Sequence, residues 1–163
     1  MIRLKLLSTL PRLQAVSLYF AEYDRKEIGY LGNCYDLREL SLGGAETISI
    51  QQLDEITRLH ELRFLSLSNT SLDGKQLALL SRLKNLRELH LWACGLTDRS
   101  LRNLDVSRLE RLNIGSNDLT NATIKSLMPC KSLQHLEIVD CPRISKKIVQ
   151  TFLTQHPQTA LFQ

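Results

Sequence analysis

Four cysteines and four histidines are the residues of this 163-residue chain best suited to nucleophilic or metal chemistry. Cys34, Cys94, Cys130 and Cys141 include no Cys-x-x-Cys pair, the short spacing that thiolate zinc sites and redox pairs use. His60, His90, His135 and His156 are scattered, with no HExxH pair to hold zinc on one helix face, and no P-loop or GxGxxG turn is present to cradle a phosphate. A serine or cysteine nucleophile needs a base within hydrogen-bond reach and a third group orienting that base. Whether any such set converges depends on the elements that carry these residues.

Composition bounds those elements. Apolar residues make up 43% and charged residues 23% of the chain, ordinary values for a globular protein and wrong for a disordered or collagen-like one. No run approaches the roughly 18 uninterrupted apolar residues of a membrane helix. Seven glycines and four prolines are few for a sandwich or barrel of many tight turns. The net charge of +4 comes from 21 basic and 17 acidic residues. Arg82, Lys84, Arg87, Arg108 and Arg111 thicken the middle, but Glu88, Asp98, Asp105 and Glu110 lie among them, which argues against a nucleic-acid partner. Lys5 interrupts the first apolar run and no small-residue cleavage pattern follows it, so the expected location is cytoplasmic unless the chain is an excised fragment. On that view the sequons at Asn69 and Asn121 are coincidental.

The organising signal is a repeat. Leu13-Gln-Ala-Val16-Ser-Leu18, Leu37-Arg-Glu-Leu40-Ser-Leu42 and Leu62-Arg-Phe-Leu65-Ser-Leu67 follow one pattern. Leu86-Arg-Glu-Leu89-His-Leu91, Leu109-Glu-Arg-Leu112-Asn-Ile114 and Leu133-Gln-His-Leu136-Glu-Ile138 continue it. Subtracting successive first positions gives steps of 24, 25, 24, 23 and 24. Each Leu-x-Leu alternation predicts a short strand with one apolar face. A second apolar set at helical spacing follows it, as in Leu77, Leu80 and Leu83 or Ile148, Phe152 and Leu153. Ser49, Asp73, Thr97, Thr120 and Ser145 precede these sets and are good helix N-caps. Neither strand nor helix of one unit can bury its face alone, whereas stacked units can. Strands about 4.8 Å apart are narrower than helices about 10 Å thick, so the stack bends with its sheet inside.

The chain resembles the leucine-rich repeat family over essentially its whole length. Leu109-Glu-Arg-Leu112-Asn-Ile114-Gly-Ser-Asn117-Asp-Leu119 matches the LxxLxLxxNxL line at every fixed position. Cys94-Gly-Leu-Thr-Asp98 and Cys141-Pro-Arg-Ile-Ser145 look like the cysteine-containing subclass found in F-box receptors and bacterial repeat proteins. The resemblance implies an α/β fold, a curved leucine-rich repeat solenoid with a parallel sheet on the concave side and helices on the convex side. It also implies that the ninth position (Ala21, Ala45, Thr70, Cys94, Asn117, Cys141) faces the turn interior and satisfies loop backbone groups.

Register then sorts the chemical candidates. Cys34 and Cys130 fall in an apolar column with Leu10, Leu59, Leu83 and Val106. Cys94 and Cys141 lie two units apart, roughly 10 Å between strands, beyond the reach of a disulfide. Four buried, reduced thiols and no disulfide are expected. His90 and Glu137 share a column but are likewise two strands apart, too far to share a metal ion. No Ser/His/Asp or Cys/His set converges, and a gently concave sheet lacks an enclosed pocket. The expectation is no catalytic residue, no metal and no cofactor.

The concave face remains. Its third positions are Ala15, Glu39, Phe64, Glu88, Arg111 and His135; its fifth are Ser17, Ser41, Ser66, His90, Asn113 and Glu137. Its seventh are Tyr19, Gly43, Ser68, Trp92, Gly115 and Val139. The one tryptophan and a phenylalanine thus sit where folding does not require burial, and Trp, Tyr and Arg dominate many interfaces. Position two adds a ladder, Arg38, Arg63 and Arg87. The candidate protein-binding residues are Phe64, His90, Trp92, Arg63, Arg87, Glu88, Arg111 and Asn113. Competing structural readings pair the ladder with Glu39, Glu61 and Glu88, cover Trp92 with a neighbouring long side chain, and cover Tyr19 and Phe20 with the loop at 21–27.

One domain spans 1–163, with six repeats over 13–157. Residues 1–12 match the helix half of a unit and are either a minimal helical cap or the cut edge of a longer protein, the second being favoured. Pro157 ends the last helix, and residues 158–163 can add a terminal strand. The expected function is a non-catalytic module binding a protein or peptide partner, with no membrane association. The alternatives are the substrate-recognition arm of an F-box-type ubiquitin ligase adaptor, the same surface in a bacterial effector, and the targeting segment of an enzyme whose catalytic domain lies elsewhere.

Overall fold

A computed structural model describes residues 2–10, 12–19, 21–44 and 47–163. Each Leu-x-x-Leu-x-Leu core becomes a three-residue strand. These are β1 Ala15–Ser17, β2 Glu39–Ser41, β3 Phe64–Ser66, β4 Glu88–His90, β5 Arg111–Asn113 and β6 His135–Glu137. A seventh, β7 Ala160–Phe162, follows Pro157. The seven form one parallel sheet in chain order, β1 to β7.

The register is that of the repeat. Val16, Leu40, Leu65, Leu89, Leu112, Leu136 and Leu161 are successive partners across the sheet. Leu40, Leu65, Leu89, Leu112 and Leu136 are at most 1% exposed. A one-residue slip would turn this whole row to solvent, so burial enforces the pairing.

Helices close the other side: α1 Leu4–Leu7, α2 Ile50–Ile56, α3 Gly74–Leu79, α4 Asp98–Leu101, α5 Asn121–Leu127 and α6 Lys146–Gln155. Ser49, Asp73 and Thr97 are N-caps whose side chains accept from the third helical N–H, while the residue there bonds back. Thr120 accepts from the Ala122 N–H. Ser145 holds the cap position but makes no side-chain cap bond. The first full unit carries a 3-10 stretch, Arg25–Asn33, where later units carry a helix. Glu27 within it accepts from the Leu4 N–H at 2.7 Å and ties α1 to the stack. Among the described residues no helix is long and apolar enough to cross a membrane.

The eighth position of the second to sixth units turns the chain through the left-handed region: Gly44, Asn69, Ala93, Ser116 and Asp140 all have positive φ. The ninth then folds inward. Asn117 serves five backbone groups there, and the Cys94 thiol donates to Leu67 O at 3.2 Å. Thr70 departs from the expectation: it is 1% exposed, yet its hydroxyl has no partner among the described residues. Ala21 is half-buried, and Ala45 lies outside the described residues. The apolar column before each unit also has an exception, since Leu10 is exposed at the outer surface of the first unit.

Asp98 stitches two units together. Its carboxylate accepts from the Thr120 N–H at 3.0 Å, the Thr120 hydroxyl at 2.7 Å and the Thr123 hydroxyl at 2.5 Å. Burial pushes this carboxyl up, but the bonds from Thr123 and Thr120 outweigh it and hold the group below the usual carboxylate range. Its folded pKa is therefore below its unfolded one. The stability it contributes is full above about pH 4 and is lost as pH falls through the lower, folded value. Urea midpoints measured from pH 7 to pH 2 should fall more steeply through this acid window for the parent than for Asp98→Asn. Parallel curves would show that the carboxylate contributes nothing to the junction.

Candidate interaction surface

The concave sheet gathers most of the candidate residues into one patch. The Phe64 ring meets the His90 ring edge-on, with centroids 5.1 Å apart and planes at 78°. His90 Nε2 lies 2.9 Å from Glu88 Oε1, and the other oxygen of Glu88 faces Arg111 Nε at 3.8 Å. Asn113 donates to Glu137 at 2.6 Å and accepts from the Gly115 N–H at 3.1 Å. Residues from β3, β4, β5 and β6 are thereby locked into a continuous surface.

Trp92 is held separately, two residues past His90. It is half-buried. A Cβ added at Gly115 would fall 2.4 Å from Trp92 Cζ3, so the indole packs against the glycine of the following unit. Tyr19 and Gly43 repeat the arrangement one end of the sheet away: a Cβ at Gly43 would fall 2.0 Å from Tyr19 Cε2. Asn69 donates to the Tyr19 hydroxyl at 2.8 Å. Tyr19 thus packs against Gly43, and Phe20 lies outside the described residues. Spacing held the signal for both seats, because each aromatic residue at position seven is followed one unit later by glycine at position seven.

The arginine ladder does not pair as its neighbours in sequence suggest. Arg87 Nε faces Glu110 at 3.8 Å, and its Nη1 donates to Lys84 O and Leu86 O. Glu88, its expected partner, is turned to His90 and Arg111. Arg38 and Arg63 form no ion pair among the described residues. An open groove of about 780 Å³ runs over this row, with Phe64 in its wall.

The thiols are buried and unpaired. Burial pushes the Cys94 thiol up to about 11 and raises Cys34, Cys130 and Cys141 as well, so none supplies a thiolate at neutral pH. Among the described residues no group of three His, Cys, Asp or Glu side chains is placed to hold a metal ion. Nothing in the residue order signals the role of His156. It is fully buried and stacked on Phe152 at 4.1 Å, with Nδ1 3.0 Å from Phe152 O and Nε2 3.5 Å from Lys131 Nζ. It plugs the end of α6 as a core residue.

One parallel sheet in chain order, a leucine row at its centre and a capped helix behind most strands define a leucine-rich repeat solenoid. No family model matches the chain. Among solved structures it is similar to a leucine-rich repeat protein of Leptospira interrogans, with 27% identity and a TM-score of 0.61, covering 91% of this chain and 36% of that one. It is similar in fold to an internalin of Listeria monocytogenes, with 16% identity and a TM-score of 0.69, covering 97% of this chain and 49% of that one. The tropomodulin C-terminal domain of Caenorhabditis elegans shares the fold at 14% identity and a TM-score of 0.63, covering 83% of this chain and 93% of that one. The chain spans about a third and a half of the length of the two bacterial proteins.

Proposed function

We propose that residues 1–163 act as one non-catalytic protein-binding module, recognising a protein or peptide across the concave sheet. Phe64, His90 and Trp92 are its centre, and Arg63, Arg87, Glu88, Arg111 and Asn113 surround them. The observation that carries this reading is that two partly exposed aromatic side chains are already fixed, Phe64 against His90 and Trp92 on Gly115. Anchors held before association lose little conformational entropy on binding. Of the finer readings, a bacterial repeat protein is supported by the likeness to the Leptospira protein.

The test begins with affinity capture of a partner from the source cells, followed by titration calorimetry. Trp92→Ala should weaken binding by about 2 kcal/mol or more, the range of interface hot spots. The variant should keep the parent's far-UV circular dichroism, since the leucine row behind it is untouched. Lys125→Ala, on the exposed side of α5, should bind as the parent does. Equal affinity for Trp92→Ala and the parent removes Trp92 from the surface, and loss from Lys125→Ala alone moves the surface to the helices.

A further inference from the structure

We propose that the row formed by Arg38, Arg63 and Arg87 is a groove for an extended acidic peptide, one bearing carboxylate side chains three residues apart. This rests on the concave-face reading and narrows its partner. Arg38 and Arg63 carry guanidinium groups with no acidic partner among the described residues, and Arg87, whose Nη1 donates to Lys84 O and Leu86 O, leaves its other nitrogens only loosely matched, Nε lying 3.8 Å from Glu110. Guanidinium forks bind carboxylates through paired, charge-assisted hydrogen bonds. Their spacing is set by the sheet. The three arginines precede adjacent strands, the Arg63 N–H donating to Arg38 O at 2.8 Å and the Arg87 N–H to Arg63 O at 2.9 Å.

Two strand steps are about 9.6 Å. A polyproline II chain returns to the same face every three residues, about 9.3 Å. A β-strand laid across the sheet returns every two residues, about 6.8 Å, and matches neither one step nor two. An extended polyproline II segment with acidic residues at i and i+3 therefore sets them over Arg38 and Arg87, with Arg63 between.

The neighbouring row chooses a peptide over a nucleic-acid strand. There Phe64 stands between Glu39 and Glu88 in the sheet register, and all three line the same groove as the arginines. Those carboxylates repel a continuous polyanion, while Phe64 offers an apolar contact to the residue between two isolated acids. Glu88 leaves the arginines free because His90 and Arg111 already engage it.

Fluorescence anisotropy with labelled synthetic octapeptides tests the groove on the full chain. Pro-Pro-Glu-Leu-Pro-Glu-Pro-Pro should bind, and Pro-Pro-Glu-Glu-Leu-Pro-Pro-Pro, of the same composition, should bind at least about tenfold more weakly. Replacing both glutamates by lysine should abolish binding. Arg63→Ala, an exposed substitution expected to keep the parent's circular dichroism, should weaken the first peptide about tenfold or more. Equal binding of the two glutamate peptides, or indifference to Arg63→Ala, overturns the proposal. Displacement of the peptide by oligouridylate at lower concentration than by unlabelled peptide overturns it in favour of a nucleic-acid strand. If no octapeptide binds while Trp92→Ala still weakens the captured partner, the groove is wrong and the concave-face reading stands.

Discussion

Asn117→Ala is expected to cost about 3–5 kcal/mol of folding stability, more than any polar substitution on the concave face. Asn117 is 7% exposed, and its Oδ1 accepts from the Cys94 N–H at 3.0 Å and the Leu96 N–H at 2.9 Å. Its Nδ2 lies 2.9 Å from each of three carbonyls, those of Leu91, Ile114 and Gly115. Alanine leaves two N–H groups and three carbonyls without this partner in a turn closed to water. A buried polar group left unpaired costs about 1–3 kcal/mol. The sum exceeds the expected loss because some of the five will find water once the side chain is gone. Asn113→Ala is the matched control, since that amide points outward to Glu137 and its loss should stay within about 1 kcal/mol. Urea denaturation of both variants decides the matter. Similar midpoints for the two would mean that the turn does not depend on the asparagine.

Leu89→Ala should cost about 2–5 kcal/mol through a different mechanism, the cavity it leaves. Leu89 has no exposed surface and is paired in the sheet with Leu65 on one side and Leu112 on the other. In a stack of units the stability of the whole includes the interface between each adjacent pair. A hole in the fourth unit weakens both of its interfaces at once. The variant should therefore also lose amide protection first in β4 and its two neighbours when followed by hydrogen exchange. A loss below about 1 kcal/mol would contradict the central place given to this row.

The leucine row and the strand register were readable from the sequence because period-two alternation leaves one solution when one face is buried. The caps were readable for a similar reason: Ser49, Asp73, Thr97 and Thr120 act on backbone two or three residues away. The side-chain partners of the concave face were not. Arg87 has acidic neighbours in its own unit and in the next, separated by about one strand spacing, and nothing in residue order decides between Glu88 and Glu110. The structure decides through His90, which takes Glu88. Trp92 was legible as a concave-face residue but not as a seated one, because the seat is a missing side chain, Gly115, read only by following column seven from one unit to the next. Thr70 shows the opposite failure. Its column predicts a bonded hydroxyl, and the equally short Cys94 reaches the Leu67 carbonyl, yet the Thr70 hydroxyl has no partner among the described residues.

The strands stand one after another in chain order, each only three residues wide. Mechanically, such a molecule is a ladder lying on its side. A pull on its two ends acts across the rungs, so the hydrogen bonds between neighbouring strands meet the load in turn and never all together. Extension should proceed by peeling, each step releasing one unit of about 24 residues from an end while the remainder keeps its shape. A partner seated across several rungs would bridge the gaps that open, making occupancy of the concave face a brace against tension along the solenoid.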